Sequence, residues 1–173
     1  MMRRFAPLLA AVCLVATPVA ARAQAGAIAG TFVLDRAASD NVDKAIATAV
    51  RDMNFVTRPI ARGRLQKTNQ PYQQVTIATA GANTIVTVDK QPPRQAPSSG
   101  TAIDWTRPAD GEKLKLSMQW DGARLVETLK AEDGQRVNAY TLSPDGSTLT
   151  MNVTITSPRL PKPLAYKLAF RKA

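Results

Sequence analysis

From Tyr72 to the C-terminus, apolar and polar residues alternate in short runs, and clusters of turn-forming residues separate the runs. Leu114, Leu116, Met118 and Trp120 alternate with Lys113, Lys115, Ser117 and Gln119. Leu149, Met151, Val153 and Ile155 do the same against Thr148, Thr150, Asn152, Thr154 and Thr156, as do Leu164, Tyr166, Leu168 and Phe170 against Lys167 and Arg171. A period of two puts each apolar set on one face of a strand, with the polar set facing water. Further strands are read at Val75–Thr79, Ile85–Asp89, from Ile103 until Pro108 ends it, Arg124–Lys130 and Arg136–Leu142, after a first strand at Gly30–Asp35. Asp-Gly pairs at Asp110-Gly111, Asp121-Gly122, Asp133-Gly134 and Asp145-Gly146, spaced 11, 12 and 12 residues apart, punctuate the second half. Asp-Gly suits the positive φ angles of a type I′ hairpin turn. The pattern predicts an all-β chain with one helix, an up-and-down antiparallel meander of eight or nine strands.

A meander of this length must hide two edges, and closing into a barrel does so. At eight strands such a barrel is wide enough for side chains or one small ligand. The helix is predicted from near Ser39 or Asp40, either able to cap it. Val42, Ala45, Ile46, Ala49, Val50 and Met53 share one face at helical spacing, with Arg51 in the last turn. Pro59, Gly63 and Pro71 break the basic stretch Arg58–Pro71, which reads either as a solvated connection with one short helical turn or as an arm touching an acidic partner. Pro92-Pro93 through Gly100 reads as a loop.

The first residues supply an address. Arg3-Arg4, the apolar stretch Phe5–Ala20 and Ala21-Arg22-Ala23 match the three regions of a signal peptide. The expectation is cleavage near Ala23, a periplasmic or secreted location, and one domain over residues 24–173. Cleavage would remove the one Cys, Cys13, so packing without disulfides must stabilise the product. It would leave twenty Lys and Arg against thirteen acids, a net charge of +7. That balance favours an anionic envelope surface or acidic ligands. With two Trp and three Tyr in an exported chain, nucleic acid is not expected as a partner. A monomer is.

The chain contains no His, and the expected product no Cys. His-based nucleophile activation, thiolate catalysis, and His or Cys metal and haem sites are thereby removed. No phosphate-binding Gly-rich loop, Gly-x-Ser-x-Gly or Asp-rich calcium loop is present. No catalytic residue, metal or cofactor is therefore expected. The candidate binding residues are polar groups and aromatics on strands: Trp105, Arg107, Trp120, Glu127, Tyr140 and Tyr166. Glu127 shares a face with Leu125 and Leu129, so if inward it needs a cationic partner or a raised pKa. Arg107, beside Ile103 and Trp105, is the candidate anchor for an anion, at a cavity open at one end of the barrel.

Gly30-Thr31-Phe32 opening a strand, followed by a helix and a continuous meander, resembles the lipocalin-like proteins of bacterial envelopes, in the calycin group. Phe32 stands where the lipocalin Gly-x-Trp pattern has Trp. Leu142–Thr150 with Ser157-Pro158-Arg159-Leu160-Pro161 behind it is similar to exported bacterial proteins of unassigned role. The resemblance implies a lipocalin-like barrel and non-catalytic binding of a small hydrophobic or anionic amphiphilic molecule, a lipid among them. The other reading is an envelope accessory module with a packed interior, acting through its basic surface. Large side chains meeting at the barrel axis would separate the two.

Overall fold

Ten strands form one antiparallel sheet in the computed structural model, which describes residues 28–108 and 110–173. The signal segment expected at residues 1–23 lies outside the described residues. The strands are β1 Gly30–Asp35, β2 Gln74–Ala80, β3 Asn83–Val88, β4 Arg94–Pro97, β5 Ile103–Thr106, β6 Lys113–Asp121, β7 Arg124–Ala131, β8 Gly134–Leu142, β9 Thr148–Thr156 and β10 Leu164–Lys172. Their order is β4-β3-β2-β1-β10-β9-β8-β7-β6-β5, so neighbours in sequence are neighbours in the sheet except β4 and β5, which form its two ends, and β1 also pairs with β10. The sheet curls into a nearly closed barrel. Its two ends meet where Gly100 N–H donates to the Met118 carbonyl at 2.9 Å and Ser99 bridges to Gln119.

The alternation read from the sequence sets the inner wall. Leu116, Met118, Leu149, Met151, Val153, Leu168 and Phe170 are buried, while Lys113, Lys115, Thr154 and Lys167 are exposed and Thr150 is intermediate. Facing residues complete the core, among them Phe32, Val75, Ile77, Val86, Val88 and Leu125. One strand more than predicted arises in the stretch expected to be a loop. β4 follows Pro92-Pro93 and turns Arg94 and Ala96 inward, with Pro97 at its end, where a missing N–H costs the ladder least.

Two helices, rather than one, cross one end of the barrel: α1 Val42–Ala49 and α2 Thr57–Thr68. Asn41 caps α1, its side-chain oxygen accepting from Lys44 N–H at 2.9 Å, and the helix ends before Arg51. Ser39 and Asp40 serve the sheet instead. Their side chains accept from the backbone N–H groups of Ala169 (2.9 Å) and Lys167 (2.7 Å), extending the β1–β10 ladder past the end of β1. α1 buries Val42, Ile46 and Ala49 against the barrel. α2 replaces the expected connection. Pro59 lies in its first turn, where no intrahelical N–H bond is required, and the Asn54 side chain accepts from Val56 and Thr57 N–H to hold that turn. No residue of α2 is fully buried, and Leu65 is its main contact with the core.

Two of the hairpin turns depart from the type I′ expectation, each in its own way. Asp121 pairs with Arg124 as a strand residue, so the two-residue loop is Gly122-Ala123, with positive φ at Gly122 alone. A glycine with positive φ at the first central position is the type II′ arrangement. In the next hairpin the loop is Glu132-Asp133, and Gly134 is already in β8. There a Cβ would lie 2.6 Å from the Thr156 carbonyl oxygen, so glycine is required for close approach rather than for its φ. A Cβ on Gly122 would touch nothing, but its φ of +60° strains any L side chain. Gly122→Val should therefore cost at least about 1–2 kcal/mol through the backbone alone. Thermal melts of the two proteins check it, and an unchanged midpoint would contradict the turn assignment.

Candidate functional site

Polar side chains enter the barrel mainly from β8, where the usual pattern is inverted. Arg136, Asn138 and Tyr140 face inward, while Val137 and Ala139 lie on the outer side of the strand. Glu127 comes from β7 and Arg94 from β4 across the barrel. Arg94 and Glu127 are 3% and 0% exposed. They form a forked ion pair, Nε to Oε1 at 2.5 Å and Nη2 to Oε2 at 3.2 Å. The Asn138 amide and the Tyr140 hydroxyl also donate to Oε2, at 2.8 and 2.9 Å. Glu127 is thus the inward carboxylate expected from the sequence, and Arg94 is its cation.

Burial opposes the charge of Glu127, but the adjacent guanidinium and four hydrogen bonds outweigh it and hold the carboxyl below its ordinary value. Burial likewise works against the charge of Arg94, and Glu127 more than restores it. The same carboxylate, added to burial, pushes the Tyr140 hydroxyl well above 10. Tyr140 is a neutral donor at any ordinary pH.

A second polar group lies next to the first, towards the helical cap. Arg136 donates from Nε to the Asn138 amide oxygen at 2.8 Å, from Nη1 to the Asn69 side-chain oxygen at 3.0 Å, and from Nη2 to the Tyr166 hydroxyl at 3.3 Å. Its guanidinium carbon sits 5.5 Å from the centre of the Tyr72 ring. Tyr166 in turn donates to Asn69 at 3.1 Å. Arg136 is partly buried, and no carboxylate among the described residues lies within ion-pair distance of it. Three of its five N–H donors have partners. Asn69, just past the C-terminus of α2, is 3% exposed and forms part of the floor of a cleft of about 260 Å³ between α1 and the end of α2.

The six candidates from the sequence fall in different places. Glu127, Tyr140 and Tyr166 belong to this polar core. Trp105 and Trp120 are partly buried wall residues, and Trp120 donates its indole N–H to the buried Thr84 hydroxyl at 3.2 Å. Arg107 lies just beyond the end of β5, partly buried, where its guanidinium is forked on Asp110 at 2.8 Å and also contacts Glu112. Sequence reasoning missed Arg94, Arg136 and Asn69. For Arg94 the available signal was that an inward Glu127 requires a cation on the inner face.

The expected open cavity is not where the sequence placed it. Large side chains, including Phe32, Tyr140, Phe170, Met118 and Met151, fill the interior, and every buried side-chain polar atom among the described residues has a partner. Two hollows, of about 540 and 260 Å³, lie around α1 at the surface. What the site offers chemically is a guanidinium with spare donors, under aromatic and amide cover, at the capped end.

This fold is that of the lipocalin-like, calycin-type β-barrels. Among solved structures, it is similar to a secretory abundant heat soluble protein from Ramazzottius varieornatus, with a TM-score of 0.58 at 12% identity over 85% of this chain and 96% of that one. Human cRBP IV matches with a TM-score of 0.52 at 21% identity, covering 84% of this chain and 97% of that one. A Schistosoma mansoni fatty acid binding protein in complex with arachidonic acid matches with 0.53 at 16%, covering 87% and 98%. No protein-family model matches the sequence, and no curated protein does.

Removing one member of the buried pair leaves an uncompensated charge, which typically costs about 3–5 kcal/mol. Glu127→Leu should lose stability on that scale, and Arg94→Met combined with Glu127→Leu should recover most of it. Urea unfolding of the three proteins checks this; equal losses in single and double variants would show that the pair is not a coupled unit. The sign for pH follows from the depressed carboxyl. Its contribution is complete above the ordinary value of 4.5 and is lost as pH falls below it through the folded-state value. Glu127→Gln should flatten the acid limb of the stability profile.

Proposed function

We propose that the protein is a non-catalytic, periplasmic binding protein for a small acidic amphiphile, which it holds at the capped end of the barrel rather than along the axis. The observation that carries this is Arg136. A guanidinium is always charged, and here it is partly buried beside neutral partners with two donors free, an arrangement that an incoming carboxylate or phosphate would complete. Tyr72 and Tyr166 border the head group, and Asn69 links it to the cleft between α1 and the end of α2. Arg107 has no part in this, because Asp110 and Glu112 already occupy it.

The fold supports the ligand class by analogy only. The Schistosoma mansoni neighbour is a fatty acid binding protein seen with arachidonic acid. The periplasmic location rests on the signal-like residues Arg3 to Ala23. The absence of His, and of Cys beyond residue 13, supports a non-catalytic role.

The filled interior favours a second reading, an envelope accessory module that works through its outer surface. Titration with a medium-chain fatty acid, followed by Trp fluorescence, separates the two. Saturable change at tens of micromolar, weakened about tenfold or more in Arg136→Gln, is expected for a charge-assisted anchor. No change, or equal binding by the variant, would favour the accessory module.

A further inference from the structure

Large apolar side chains are rarely left in water next to one another without a partner. Among the described residues four are exposed, and three of them lie within six positions where the chain enters α2: Phe55 at 83%, Val56 at 59% and Ile60 at 58%. Phe55 and Val56 precede the helix, and Val56, Ile60 and Arg64 follow at four-residue spacing, so the last three form a line along its outward side. Lys67 lies three residues beyond Arg64 on the same side, and Arg62 is also exposed. The side facing the barrel is defined by the partly buried Ala61 and Leu65.

Within the segment itself the charge is of one sign. From Asn54 to Val88 the chain has no Asp or Glu, and among the described residues Arg58, Arg62, Arg64 and Lys67 form no ion pair, with Asp52 near Arg58 and Asp110 near Lys67 but not bonded to them. Arg58 turns back onto the Met53 carbonyl at 2.6 Å, which leaves Arg62, Arg64 and Lys67 free towards solvent. α2 itself has no fully buried residue, so little of it serves the core. An apolar line flanked by unpaired cations is complementary to an interface in which acyl chains lie beneath anionic phosphates.

We propose that Phe55, Val56 and Ile60, with Arg64 and Lys67, dock the barrel by its helical cap on an anionic phospholipid surface. The three apolar side chains enter the head-group layer and the cations meet the phosphates. The docking stands whether or not Arg136 takes a ligand, because none of its residues touches Arg136 or the cleft floor. Being exposed, these residues can be changed with little effect on folding.

The test is co-sedimentation of the full chain, less its signal segment, with phosphatidylcholine vesicles containing about 30 mol% phosphatidylglycerol. Partition is expected there and not on pure phosphatidylcholine, and it should weaken as salt is raised above about 0.1 M. Each cation near such a surface strengthens partition about fivefold, so Arg64→Gln with Lys67→Gln should weaken it about 25-fold. Phe55→Ser with Ile60→Ser should abolish it at unchanged charge. Arg136→Gln should leave it unaltered, which keeps this outcome separate from that of the fatty acid titration. Equal partition of either double variant with the parent, or no partition on the anionic vesicles, overturns the proposal.

Discussion

Closing ten strands into a barrel leaves two edge strands that must be brought together, and the Arg94–Glu127 pair spans that join. β4 and β5 are the ends of the sheet and share no ladder with each other. The seam instead runs from the end of β4 to β6, through the Gly100 to Met118 hydrogen bond, the Ser99–Gln119 bridge, and the Trp120 indole on Thr84. Behind it, Arg94 of β4 reaches across the interior to Glu127 of β7. Two charges buried together are stabilising only while both are present and fully hydrogen-bonded. Asn138 and Tyr140 complete the shell, so three strands, β4, β7 and β8, contribute a charge or a donor to one join.

That arrangement also divides the interior. Around the pair and away from the cap, the wall is apolar and close-packed, from Leu116 and Met118 round to Met151 and Phe170. Towards the cap the inner face becomes polar, and the polarity is held by side chains from separate elements: Asn69 after α2, Arg136 from β8, Tyr166 from β10. Glu127 neutralises Arg94 and leaves Arg136 without an acid. The difference between the two arginines is therefore one of position along the barrel. One is sealed in the seam, and the other lies beneath the cap.

What the sequence revealed, and what it hid, follows from which residues face inward. Where the inner face is apolar, as in β6, β9 and β10, a period of two is enough to assign burial residue by residue. β4 escaped because its inward residues are Arg94 and Ala96, and a charged inner position flanked by prolines looks like a loop. β8 was found as a strand, but with polar residues inside and Val137 and Ala139 outside, its pattern carries no sign of which face is which. α2 was hidden by Pro59 and Gly63, whose cost depends on position: first-turn proline is tolerated, and an exposed glycine costs only about 1 kcal/mol. Arg107 looked like an anchor because strand alternation extends to it. Spacing cannot show that Asp110, in the turn that follows, is forked against it.

The place of β10 in the sheet has a kinetic consequence. The strands β1 to β4 and the strands β5 to β9 are two blocks, each made of neighbours in sequence, and each could pair locally once its own residues are available. β10 is the strand that joins them along the ladder, meeting Leu149 of β9 through Phe170 on one side and Leu34 of β1 through that same residue on the other. The contact between Leu34 and Phe170 closes a loop of almost the entire described chain, so its entropic cost is met late and folding by this route is slow. Until the last strand is in place, both blocks present an open edge at β1 and β9. The period between synthesis of the two blocks and arrival of β10 is when this barrel is most exposed to pairing with another copy of itself.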